Sequence, residues 1–318
     1  MKKVEVLLTL VLIVVLAVPC VATERSIPEQ INDASNNEFT NLKVIEKRDN
    51  LKINAESQTV NIARKDFSQV KVNFTSDYDR KKYEIGIKLP IKKNAQTRVE
   101  QDNIISDEEK YSVVTEAFED GVQINIVIKD ENAPEKFALK YNLPEGFSIR
   151  FAEVNGEKDG SVEIVNKEGV PIGAIAIPWA KDVNGKKVPT YYEIKENKLY
   201  QIVKHKSAGA TYPIVADPHN KYSDWFKSAT WKIRDGKYSL CVVPTKWNRQ
   251  SGIAYMSTSW ALLKKKKSGS KHWYNTEGLR KQYYCHTQAA KFKSSWNLEP
   301  WRPNVSMAKT IAKACNPT

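Results

Sequence analysis

Trp231-Lys232-Ile233-Arg234-Asp235-Gly236-Lys237-Tyr238-Ser239-Leu240-Cys241-Val242-Val243 sets the architecture of the C-terminal third of the chain. Asp-Gly between two strand-like runs predicts a tight hairpin, because both central residues of such a turn take positive φ, which glycine accepts freely and aspartate tolerates. Downstream, apolar residues recur at helical spacing over Ile253–Lys267 and again over Thr276–Ala290, where Thr276 is placed to cap the helix. A last helix is predicted over Val305–Ala314, with Asn304 as cap after Pro303. Residues 219–318 therefore read as a small α+β module, a β-hairpin followed by about three helices.

Upstream the period changes. Short alternating or β-branched runs recur between Gly, Pro and Asn: Val70–Phe74, Tyr83–Leu89, Val122–Ile128, Phe137–Leu143, Ser161–Val165, Val170–Ile177 and Tyr191–Ile194. Period-two alternation with frequent turn residues predicts an all-β N-terminal domain over 44–218, a sandwich or meander, with no long helix before residue 220. Residues 23–43 are polar, without an apolar period, and are expected to form a flexible leader.

The first 22 residues have the order of a secretory signal peptide: Lys2 and Lys3, an apolar run from Val6 to Val18, then small residues to Ala22. The run is shorter than the ~20 residues a bilayer span needs, which favours cleavage after Ala22 over an uncleaved anchor. Lipidation of Cys20 fits poorly with Pro19 and Ala17 beside it. The expected location is secreted, extracellular or cell-wall associated, a compartment in which disulfides persist. Removal of the signal leaves Cys241, Cys285 and Cys315. Cys241 lies in a strand-like run and reads as a small core residue, so Cys285–Cys315 is the expected bridge. It closes a loop of about thirty residues, worth roughly 3–4 kcal/mol in the chain-entropy model.

Charge divides the chain more sharply than hydrophobicity does. From Lys221 onward there are 15 Lys and 4 Arg against 2 Asp and 2 Glu, a net of +15, which leaves −2 for everything before. Seven of the eight tryptophans share that segment, where large rings supply the core of a domain with few aliphatics.

Two resemblances follow from particular strings. Trp179-Ala180-Lys181-Asp182, Asn184 to Thr190, and Tyr212-Pro213-Ile214-Val215-Ala216-Asp217-Pro218 resemble the end of a β-rich segment of secreted bacterial proteins. In those proteins a Tyr-Pro-(Val/Ile)-Val-Ala-Asp-Pro string precedes an exchangeable C-terminal module. The last hundred residues resemble an uncharacterised family of secreted bacterial domains, "domain of unknown function 2599". The matching residues are the Trp231–Gly236 hairpin, Trp260, Gln282, Cys285-His286, Trp296-Asn297-Leu298-Glu299-Pro300, Arg302-Pro303 and Cys315-Asn316-Pro317. That family supplies no chemistry, so function rests on the residues.

Lys264, Lys265, Lys266, Lys267 and Lys271, with Lys291 and Lys293, are candidate contacts for an extracellular polyanion: teichoic acid, nucleic acid or an anionic lipid surface. The competing reading of the lysine run is a helix C-terminus whose cations complement the macrodipole. A second functional reading is a toxin-like, metal-independent nuclease in which a carboxylate, a histidine and an arginine, Glu299, His286 and Arg302, share the roles of base, acid and phosphate-stabilising cation, with Lys291 or Lys293 as further phosphate contacts and an acidic immunity protein as partner. Against it, Leu279, Tyr283, His286 and Ala290 fall on one helical stripe, which makes His286 a core residue, and Glu299 and Arg302 can pair to fix a loop. No cofactor is expected, and no paired metal-ligand spacing such as His-x-x-x-His or Cys-x-x-Cys occurs in the module.

Overall fold

The computed structural model describes residues 25–35, 42–55, 58–75, 81–118, 121–154, 157–216, 225–250 and 256–318. The expected signal peptide, and Asp217 and Pro218 of the boundary string, lie outside the described residues.

The N-terminal region is built from antiparallel sheets, as period two requires. In the larger, β1 (Val44–Glu46), β2 (Asn50–Asn54), β3 (Gln58–Ala63), β4 (Gln69–Thr75) and β5 (Lys82–Lys88) form a meander that continues through β10 (Lys136–Asn142), β17 (Lys198–Val203) and β16 (Thr190–Lys195). The second orders β15 (Lys187–Val188), β14 (Ala180–Asp182), β18 (Ile214–Ala216), β9 (Gly121–Ile128), β8 (Tyr111–Phe118), β7 (Asn103–Asp107) and β6 (Gln96–Glu100). A three-stranded sheet follows from β11 (Ser148–Val154), β12 (Glu157–Val165) and β13 (Pro171–Ile175). Leu51, Ile53, Val60, Ile62 and Val70 of the first sheet share one core with Ile104 and Val113 of the second, so the two sheets pack face to face.

The second sheet is apolar on both faces. Along β7, β8, β9 and β18, Ile104, Val113, Ile126 and Ile214 join the inner cores, whereas their neighbours Ile105, Val114, Val127 and Val215 point the other way. That outer face is covered by helix α1 (Ile27–Ser35), whose Ile31 and Ala34 are buried against it. Within the stretch expected as a flexible leader over 23–43, Ile27–Ser35 is instead helical. Ser26 and Glu29 form a reciprocal capping box at the helix start, Ser26 N donating to Glu29 Oε2 at 2.8 Å and Glu29 N to Ser26 Oγ at 3.4 Å. At the other end Lys181 Nζ donates to the Ala34 carbonyl at 3.1 Å.

The C-terminal module opens with the expected hairpin. β19 (Phe226–Arg234) and β20 (Lys237–Pro244) pair in a register that closes on Arg234 opposite Lys237, and Asp235 (φ 49°) and Gly236 (φ 74°) take the left-handed conformation the turn demands. A third strand, β21 (Trp296–Leu298), too short to show a period, adds to β20. Helices α2 (Lys246–Gln250), α3 (Met256–Lys267), α4 (Thr276–Ala289) and α5 (Met307–Ala312) follow the chain. Trp225, Trp260, Trp296 and Tyr283 fill the core, and Ala174, Ala176 and Ile177 of the β region pack against it.

Two caps differ from expectation. Asn275, in the left-handed region at φ 53°, caps α4 rather than Thr276, because its side chain can accept from Gly278 N while its amide donates elsewhere. Thr276 accepts from Trp273 Nε1 instead. The last helix is shorter than predicted and is capped by Ser306, since Asn304 accepts from Lys281 Nζ at 2.6 Å. Cys241 is half-buried rather than a core residue.

Candidate functional site

Helix α4 places Gln282, Cys285 and His286 on its buried side, facing the segment after β21 and the chain's final residues. Cys285 is bonded to Cys315, as expected. The bridge brings Asn316 and Pro317 against the Glu299–Pro303 loop, where Arg302 Nη1 donates to the carbonyls of Asn316 (3.1 Å) and Pro317 (3.2 Å).

The loop itself is held from three sides. Gln282 reads the backbone of Glu299 in both directions, Nε2 donating to its carbonyl at 3.0 Å and Oε1 accepting from its N–H at 2.8 Å. Asn275 Nδ2 donates to the carbonyls of Pro300 (3.1 Å) and Arg302 (2.7 Å). The Glu299 carboxylate, 4% exposed, accepts from Arg302 Nε in a buried ion pair. Such a pair adds little net stability over an apolar packing, but loss of one partner strands a buried charge.

His286 is 2% exposed and its ring lies parallel to Trp296 with centroids 6.3 Å apart. Burial, reinforced by the Lys293 ammonium, holds its pKa down at about 4, against weaker support for the charged form from the Asn297 backbone and the Asn316 side chain. Neither ring nitrogen has a well-formed hydrogen bond. Leu279, Tyr283, His286 and Ala290 are all buried, so the helical stripe is the apolar face of α4. His286, Glu299 and Arg302 thus converge on the chain's end, His286 and Glu299 buried and Arg302 half-buried. They form a latch that ties helix, loop and tail.

The lysines fall in two places. Met256 accepts from Gln288 at the C-terminal end of α4 and Trp260 packs on Tyr283 in its middle, so α3 runs antiparallel to α4. Lys264–Lys267 and Lys271 therefore lie at the N-terminal end of α4, and Lys291 and Lys293 just past its C-terminal end. Fourteen residues of α-helix set the two groups about 20 Å apart. Lys265, Lys266, Lys271 and Lys293 are exposed; Lys291 is half-buried.

The end of the module that carries the lysine run also carries residues that sequence reasoning did not single out. His272, in the α3–α4 loop, stacks on Tyr238 of the hairpin at a centroid distance of 3.6 Å and packs on Trp231 at 5.7 Å. Lys237 and Arg302 each stand 4.4 Å from the centre of the Trp301 ring. Lys232 and Arg234 are exposed beside them. Among the described residues no group of His, Cys, Asp or Glu is arranged to hold a metal ion, and no helix is long and apolar enough to cross a membrane.

Residues 226–318 match the family model described as "Protein of unknown function (DUF2599)". The chain is 38% identical over 103 residues to "Uncharacterized protein Rv0477" of Mycobacterium tuberculosis and to "Uncharacterized protein Mb0487" of Mycobacterium bovis. The match covers 31% of this chain and 64% of each relative's length. No solved structure matches the chain. Disulfide, hairpin and latch thus all lie within the residues that match this family model.

Proposed function

We propose that this chain is an exported protein whose cationic C-terminal module binds an extracellular polyanion, with the β region as its carrier. The carrying observation is how the module disposes of its few acids. Glu299 is buried against Arg302 and Glu277 is engaged by Arg280 at 2.8 Å, while Lys227, Lys232, Lys237, Lys265, Lys266 and Lys271 stand exposed. A surface with this imbalance attracts phosphates through counterion release, largely without regard to sequence. Export is supported by the N-terminal signal pattern and by the Cys285–Cys315 bridge, which is at home in an oxidising compartment.

Retention of the full protein on teichoic-acid-bearing walls or immobilised nucleic acid tests the reading. If four lysines each engage a phosphate, affinity drops on the order of a hundredfold between about 50 and 200 mM salt. Salt-insensitive retention, or none, would sink it. The alternative, a nuclease acting through His286, Glu299 and Arg302, requires the latch to open to substrate. Cleavage of RNA or DNA in chelator by the native protein, abolished by His286→Ala and Glu299→Gln variants that still fold, is the result that would establish it over binding alone.

A further inference from the structure

We infer that the hairpin end of the module is a ring-stacking surface, and that the polyanion it takes is single-stranded nucleic acid, with a base stacking at Tyr238. The inference rests on the polyanion reading above and narrows it to one ligand chemistry.

Three observations carry it. Ile233 and Tyr238 are direct cross-strand partners, on the same face of the ribbon as the core residues Ala229, Leu240 and Val242, yet they are 65% and 42% exposed. The core face of the hairpin therefore runs past its helical cover and presents apolar surface to solvent. Next, His272 stacks on Tyr238 with an interplanar angle of 20°, so the phenol ring is held in place before any ligand arrives. A ring fixed in advance loses little rotamer freedom on binding, which is what makes an aromatic platform effective.

The third observation is the charge around the ring. Lys271 adjoins His272, and Lys232, Arg234 and Lys237 stand exposed on the strands and at the turn. Strand alternation turns Lys232, Arg234 and Lys237 to the opposite face of the ribbon from Tyr238, Lys237 standing over the Trp301 ring, so Lys271 is the exposed cation that adjoins the stack. One carboxylate, Asp235, sits among them at the turn. Planar apolar surface with Lys271 beside it and Lys266 exposed at the same end of the module suits a chain that alternates phosphates with rings. A polyol-phosphate wall polymer offers no ring to stack. A bilayer would find its foothold elsewhere: Phe292, 83% exposed between Lys291 and Lys293, is at the far end of α4.

The test compares three probes on the full protein: a thymidine oligonucleotide, inorganic polyphosphate of equal charge, and phosphatidylglycerol vesicles. Tyr238→Ala is expected to weaken the oligonucleotide about tenfold and to leave polyphosphate within about twofold, with Tyr238→Phe retaining native affinity. Should the alanine variant not fold, Tyr238→Leu keeps apolar bulk without the ring and is expected to show the same loss. Equal affinity for oligonucleotide and polyphosphate, unmoved by Tyr238→Ala or Tyr238→Leu, overturns stacking but leaves polyanion binding standing. Binding to vesicles alone, lost in Phe292→Ser, also overturns it. Failure of all three probes overturns both readings.

Discussion

The β region and the C-terminal module handle cations in opposite ways. In the β region they are answered across strands: Lys71 meets Glu84 at 2.9 Å, Lys136 meets Glu193 at 2.6 Å and Arg150 meets Glu163 at 3.1 Å. Such exposed pairs contribute at most about 1 kcal/mol each, but they leave the surface nearly neutral. The module has 19 basic residues and only four acidic ones from Lys221 onward, and it buries one of those acids. The two regions also hold themselves differently. The second sheet buries apolar rows on both faces, whereas the small module adds a disulfide and a polar latch to a tryptophan core, as a domain with a small core needs. The difference teaches that the module holds His286 and Glu299 inside, with Arg302 half-buried on Glu299, and carries most of its exposed charge on other residues.

This contrast can be broken at its strongest point first. Glu299→Gln leaves the half-buried Arg302 guanidinium without its carboxylate and is expected to destabilise the module by about 3–5 kcal/mol. Seven of eight tryptophans lie in the C-terminal segment, so urea unfolding followed by tryptophan emission reads the module. An unchanged midpoint would mean that Arg302 is solvated and the latch open, as catalysis would require. Cys285→Ser with Cys315→Ser is expected to cost roughly 3–4 kcal/mol by the same readout, while the β signal in circular dichroism keeps its midpoint.

His286 sharpens the comparison through pH. Its pKa is depressed in the folded state to about 4, so the unfolded chain binds more protons between there and 6.5. Stability of the module is therefore full above pH 6.5 and falls as pH drops toward 4, by roughly 3 kcal/mol in all. His286→Leu should flatten that slope; an equal slope in the variant would assign it to other groups. The smallest expected effect is in the β region. Ile31→Ala removes the anchor of α1 and should cost about 2–3 kcal/mol there, leaving the tryptophan transition unmoved.

Much of this was legible in the chain. The runs predicted as strands coincide with β4, β5, β9, β10, β12, β13 and β16, because half-buried strands write their period directly into the sequence. Helix α1 was missed although two signals were present. Ser26-Ile27-Pro28-Glu29 has the spacing of a capping box, and the unbroken pairs Ile104-Ile105 and Val113-Val114 announce strands buried on both faces, which need a second cover. The hairpin, the bridge and the core stripe of α4 followed from residue chemistry alone.

Local order and charge were determined by the sequence itself, because turn conformation, periodicity and net charge depend on neighbours along the chain. Tertiary structure alone decided that Glu299 and Arg302 close on the tail and that Lys264 and Lys293 lie at opposite ends of a helix. It alone brought His272 onto Tyr238, 34 residues away in sequence. Contacts between elements depend on how helices and strands pack, and no local pattern carries that information.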